Sequence, residues 1–169
     1  MNKTVTYGLI IGVVAIAVSL IQYQVAGLTG GILWSLIGFV VGIALHVIFA
    51  NKLKAANGGV AGFGKMFGWL FTMSAIAVVL SGIFTIVYIS SVGGDVVDSA
   101  MDQAMEQSMG GMSDAEVEAA ETAREALSTA GSGLMIGAMI LGLIGALVIY
   151  AIIDLILAAI LKKEPPVAK

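Results

Sequence analysis

Residues 92–131 read VGGDVVDSAMDQAMEQSMGGMSDAEVEAAETAREALSTAG, the only long polar stretch in the chain. Nine of the eleven acidic residues fall inside it, from Asp95 to Glu125, against a single basic residue, Arg124. Everything on either side is apolar enough to live in lipid. The 169 residues are 59% apolar and only 11% charged, with mean hydropathy +1.04. Soluble domains carry about 25% charged residues. The chain therefore reads as an all-α polytopic membrane bundle with one acidic, water-facing insert.

Outward from the insert, four apolar runs occupy residues 5–27, 31–50, 66–91 and 132–161. A hydrocarbon core of about 30 Å takes roughly 20 helical residues. The first two runs fit that length, and the last two exceed it on the side of the insert. Lys3 before the first run resembles the start of a signal peptide. The run is too long for that role and ends in a polar, aromatic segment, Gln22-Tyr23-Gln24, so an uncleaved anchor helix is expected. One membrane domain is expected over residues 1–169, with a charged tail at 162–169.

Lysine sets the orientation. Under four spans, Lys3, Lys52, Lys54, Lys65, Lys162, Lys163 and Lys169 share one side and Arg124 stands alone on the other. The positive-inside rule then makes both termini and the second loop cytoplasmic and the insert extracytoplasmic. The insert itself should be a helical hairpin over residues 93–131. Asp95 starts its first helix and Gly110-Gly111 end it. Ser113-Asp114-Ala115-Glu116 is a capping box for the second, which Gly131 ends.

Two ionisable residues stand within spans, His46 and Asp154. Such groups are costly in lipid and usually face the bundle interior. Each lies a few turns before a lysine boundary, Lys52 and Lys162, on helices of the same direction, so they share a depth. Each also lies on a stripe of small residues. Gly38 and Gly42 lead to His46, while Ala138, Gly142, Ala146 and Tyr150 lead to Asp154. Small stripes are where membrane helices approach closely, so spans two and four are expected to meet there. One reading of the pair is an ion- or proton-coupled transport site. Another is a polar contact that fixes helix register, or two groups reaching cytoplasmic water. The G-x-x-x-G pairs Gly8/Gly12, Gly38/Gly42, Gly64/Gly68 and Gly133/Gly137 can drive association with a second copy or another membrane protein, but in a chain that must pack four helices their first use is packing inside the bundle, with Gly64/Gly68 at the interface serving neither.

Met101, Met105, Met109 and Met112 form a thioether array in the insert. Thioethers suit Cu(I), which would make the chain an extracytoplasmic metal-binding accessory protein. Methionine is also a flexible filler of apolar contacts. No metal ligation or cofactor is expected. The chain has no cysteine and one histidine, which removes disulfides, thiol nucleophiles and the usual zinc constellations. It has no H-E-x-x-H, P-loop, G-x-S-x-G or dinucleotide fingerprint, so no enzyme is expected. Of the serines in the spans, Ser19, Ser35, Ser74 and Ser81, none has an apparent base partner other than His46. The partners expected are the lipid bilayer and another membrane protein or a second copy, and no nucleic acid. A structural or protein-interaction role is the reading these features give first.

Three segments together resemble a known family. They are Asn57-Gly58-Gly59 followed by Phe63-Gly64 and Phe67; the acidic, methionine-rich insert from Met101 into Met112-Ser113-Asp114; and the ending Ala158-Ala159-Ile160-Leu161-Lys162-Lys163-Glu164-Pro165-Pro166. The chain is similar over essentially its whole length to the small bacterial membrane proteins grouped as domain of unknown function 4199. The resemblance implies four spans and a bacterial inner membrane, and it brings no catalytic residue and no ligand.

Overall fold

The computed structural model describes residues 2–27, 31–92 and 114–164. Four helices make up nearly all of them: α1 Lys3–Ala26, α2 Gly31–Ala56, α3 Phe63–Val92 and α4 Asp114–Leu161. All four contain a stretch long and apolar enough to cross a membrane. Those stretches are apolar around their whole circumference, which suits a solvent of lipid rather than water. In that solvent every backbone polar group must be satisfied within the chain, and the helix does so. Leu33, Leu141 and Ile160 are about 70% exposed on the bare bundle, as lipid-facing side chains are.

The third helix is the centre. α1 packs along one side of it and α4 along another, while α2 leans mainly on α1. The buried stripe of α3 is Met66, Leu70, Met73 and Ala77, spaced as one helix face. Ile11 of α1, Phe49, Ala50 and Leu53 of α2 and Ala158 of α4 close over that stripe. Tyr7 of α1 stacks on Phe49 at 4.4 Å between ring centroids, worth roughly 1 kcal/mol beyond its area. At the opposite end Tyr23 of α1 stacks on Tyr88 of α3 at 4.8 Å.

The closest helix approach is between α1 and α3. A side-chain carbon on Gly8 would lie 3.0 Å from Ile76 Cβ and 3.2 Å from Met73 Cα. One on Gly12 would lie 3.3 Å from Ala77 Cα. This glycine pair lets two backbones meet as the G-x-x-x-G spacing allows. Gly82 of α3 makes room instead for the Leu143 side chain of α4.

One end of the bundle gathers the start of α1, the end of α2, the start of α3 and the end of α4. α2 stops in a Schellman turn: Gly58 N–H donates to Ala55 O at 3.2 Å and Gly59 N–H to Lys54 O at 2.9 Å. Gly58 sits at φ 74°, the left-handed region that glycine enters without strain. The Asn57 amide donates to Val60 O at 2.6 Å and its oxygen accepts from Lys65 Nζ at 2.7 Å, so the short loop is cross-tied. Ala61 and Lys163 then exchange two backbone hydrogen bonds, 2.9 and 2.8 Å. Lys54 Nζ donates to Leu161 O at 3.0 Å, satisfying a carbonyl at the end of α4.

Three expectations need correction. α2 does not end near residue 50 but continues through Lys52 and Lys54 to Ala56, because lysine is a good helix former whose amine can reach past the lipid boundary. α3 begins at Phe63 rather than 66. Gly131 does not end a hairpin helix: α4 runs unbroken for 48 residues, about 72 Å at the usual rise. A glycine inside a helix costs about 1 kcal/mol relative to alanine and ends it only where the chain turns left-handed. Among the described residues the only glycines at positive φ are Gly27, Gly58 and Gly59. The first helix expected in the insert, with Met101, Met105, Met109 and Met112, lies outside the described residues.

Candidate functional site

At the lysine-bearing end, three polar side chains from three helices converge inside the apolar core. His46 of α2 is 3% exposed, Ser74 of α3 1% and Asp154 of α4 1%. Each is placed by the helix that carries it. Ser74 follows Met73 on α3, whose stripe is sealed against α1. Asp154 is one turn before the fully buried Ala158. His46 is one turn before Ala50, also fully buried.

His46 is held at both ring nitrogens. Nδ1–H donates to Gly42 O, one turn back on α2, at 2.8 Å. Nε2 meets Ser74 Oγ at 2.9 Å. With Nδ1 committed as donor, neutral His46 accepts the Ser74 hydroxyl proton at Nε2. Asp154 lies near enough to Ser74 and His46 for both to act on its carboxyl electrostatically. Oδ2 of Asp154 is buried with no hydrogen-bond partner, alone in that condition among the described residues. Tyr150, one turn before Asp154 on α4, sets its ring 6.4 Å from the His46 ring, inclined by 25°.

The order of the three groups is chemically informative. In a nucleophilic triad the carboxylate orients the histidine, and the histidine activates an accessible serine. Here a backbone carbonyl orients the histidine, the carboxyl adjoins the serine, and the serine is enclosed. Ser74 is hydrogen-bonded to the base and lies near the acid.

The structure thus brings His46 and Asp154 to one junction, through a third helix. It does not join α2 and α4 along the small stripes. A side-chain carbon added at Gly42 or at Gly142 would meet no atom within 4 Å, and one at Gly38 would touch Val18 of α1 at 3.8 Å. Ala146 is half-buried, and the Ala138 side chain lies outside the described set. Close approach went to Gly8, Gly12 and Gly82 because α3 stands between the other helices. Gly64, Gly68 and Gly137 likewise approach nothing.

Sequence reasoning did not single out Ser74. The signal was depth. Ser74 lies nine residues after Lys65, about 14 Å of helix, which matches the eight from Asp154 to Lys162. Among the described residues no three His, Cys, Asp or Glu side chains group as a metal site.

Four helices long and apolar enough to cross a membrane, with His46 and Asp154 enclosed between them, fit a multi-pass all-α membrane protein. The chain belongs to the family described as "protein of unknown function (DUF4199)", whose model matches residues 6–163. Among curated proteins and solved structures nothing matches.

Proposed function

We propose that this is a bacterial inner-membrane protein that couples a small cation to its work through His46, Ser74 and Asp154. Its termini and the loop at 57–62 face the cytoplasm and its acidic stretch faces outward, from the one-sided lysines. The observation that carries the reading is the buried, unpartnered oxygen of Asp154. A polar network kept only to fix helix register tends to be fully satisfied, since a half-satisfied one is costly in a low dielectric. An ionisable residue within a membrane span with an open acceptor is by default a functional site. The cation arriving at that oxygen completes the network.

The test is thermal stability of the purified protein in lipid nanodiscs against pH and against Na⁺, K⁺ and Li⁺. The wild-type chain should respond to one of these and Asp154→Asn should not. A wild type indifferent to all four, or Asp154→Asn with the wild-type response, overturns the reading. For sidedness, Asn57→Cys should resist an impermeant thiol reagent applied to intact cells, and Ser99→Cys should react with it. The reverse pattern inverts the topology.

A second reading, a structural or protein-interaction role, is favoured by α4. Its apolar run covers residues 132–161, leaving some 18 residues of continuous helix before it, with Asp114, Glu116, Glu118, Glu121 and Glu125. A stalk of that length suits an extracytoplasmic partner. A native-gel complex larger than the chain's own, lost on deletion of residues 94–130, supports it. An unchanged complex removes it.

A further inference from the structure

We propose that Lys3, Lys52 and Tyr7 hold the headgroup phosphate of an anionic phospholipid, in the cleft between α1 and α2 at the lysine-bearing end. This site is separate from the junction of His46, Ser74 and Asp154. α1 runs away from that end and α2 runs toward it. They meet where Tyr7 stacks on Phe49, 4.4 Å between centroids and 2° from parallel. Lys3 lies one turn before Tyr7 on α1, and Lys52 lies three residues after Phe49 on α2. Both steps lead toward the end of the bundle, by about 6 Å and about 4.5 Å of helix. The two lysines therefore stand at matched depth, just beyond one aromatic pair. Both are exposed, and Lys52 Nζ is 5.6 Å from the Phe49 centroid. Packed helices lie about 8–10 Å apart, so an ammonium on each can reach a group held between them.

Charge says what belongs there. Most other lysines at this end are engaged within the protein. Lys54 Nζ donates to Leu161 O, Lys65 Nζ donates to Asn57 Oδ1, and Lys162 Nζ lies 3.5 Å from Glu164. Lys163 is on the α4 side, its backbone paired with Ala61. Among the described residues the acids at this end are Glu164, which Lys162 holds, and the enclosed Asp154. Lys3 and Lys52 are thus two ammonium groups facing no carboxylate. At a membrane boundary such a pair draws anionic headgroups. The Tyr7 ring packs on the core, and its hydroxyl makes no hydrogen bond to a described residue. A tyrosine at the interface keeps its ring in the apolar layer and its O–H for a polar partner.

The surface leading away from the lysines selects a lipid over a free anion. Ile10, three residues past Tyr7 on α1, is 41% exposed, and Ile48, one turn before Lys52 on α2, is 47% exposed. Acyl chains can lie along both while the phosphate meets the ammonium groups. A free anion would use the lysines alone. Two positive charges also favour a headgroup with net negative charge, since the ammonium of a zwitterionic lipid repels them. Phosphatidylglycerol has the required chemistry.

Native mass spectrometry of the full chain in mild detergent counts bound lipids directly. The chain is titrated with phosphatidylglycerol or with phosphatidylcholine of the same acyl chains. The wild type should retain phosphatidylglycerol in preference. Lys3→Gln and Lys52→Gln should each weaken that retention about fivefold, the share of one lysine beside an anionic headgroup layer. Lys52→Arg should keep it. Tyr7→Phe preserves the stack and should weaken retention as well. Lys65→Gln and Lys163→Gln should keep the wild-type affinity. A tenfold excess of inorganic phosphate should not displace the lipid. Equal retention of the two lipids, or equal losses in all four lysine→Gln variants, overturns the site. Displacement by inorganic phosphate makes the free anion the ligand and overturns the lipid. Tyr7→Phe with wild-type retention removes the hydroxyl from the site.

Discussion

Alanine at Gly8 and Gly12 should weaken the bundle, whereas alanine at Gly42 and Gly142 should not. At Gly8 the new methyl would press on Ile76 Cβ and on the α3 backbone at Met73 Cα, 3.0 and 3.2 Å away. At Gly12 it would meet Leu80 Cδ2 at 2.8 Å and Ala77 Cα at 3.3 Å. Leu80 can swing aside, but a Cα cannot, so α1 and α3 must separate by a few tenths of an ångström. Overpacking of this kind costs about 1–3 kcal/mol. Alanine returns about 1 kcal/mol of helix propensity. The net loss is then roughly 0–2 kcal/mol at either site, and the pair is not additive because both sites lie on one contact line. At Gly42 and Gly142 nothing lies within 4 Å, so only the propensity gain remains. Unfolding by SDS from mild detergent, followed by circular dichroism, gives the four free energies. Loss at Gly42 or Gly142 together with gain at Gly8 and Gly12 would show that the helices pack on the other stripes.

Two further expectations follow from the backbone. Gly58→Ala places a side chain at φ 74° in open space, so its whole effect is conformational, a loss of about 1–2 kcal/mol by the same unfolding measurement; no loss would mean that the Schellman turn is absent. For α4, nitroxides on Thr122→Cys and Ile140→Cys in the otherwise cysteine-free chain should be about 27 Å apart along an unbroken helix. A markedly shorter distance by pulsed electron resonance would restore the break at Gly131.

The four spans were legible because apolar run length is a direct physical requirement of the bilayer. Helix ends were less so. Lys52 and Lys54 look like a loop by charge, yet they extend α2 and supply the amine that caps α4. Gly131 looked like a stop, but glycine alone does not turn a chain. His46 and Asp154 could be placed at one depth by counting from the lysines, and the structure sets them at one junction. Their connector, Ser74, could have been found by the same count along α3. The small stripes misled for a different reason. When every face of a helix is apolar, periodicity does not say which face meets protein and which meets lipid, so Gly42 and Gly142 carried the same pattern as Gly8 and Gly12.

The junction of His46 and Asp154 is tested most directly by a double-mutant cycle on the thermal stability of His46→Leu, Asp154→Leu and the double variant in detergent. If the two groups share one enclosed network, removing either leaves the other without its counterpart, a loss of about 3–5 kcal/mol for a broken buried pair. Removing both replaces the network with apolar groups at far smaller cost. The double variant should therefore be more stable than either single one. Strictly additive losses would mean that the two residues do not meet.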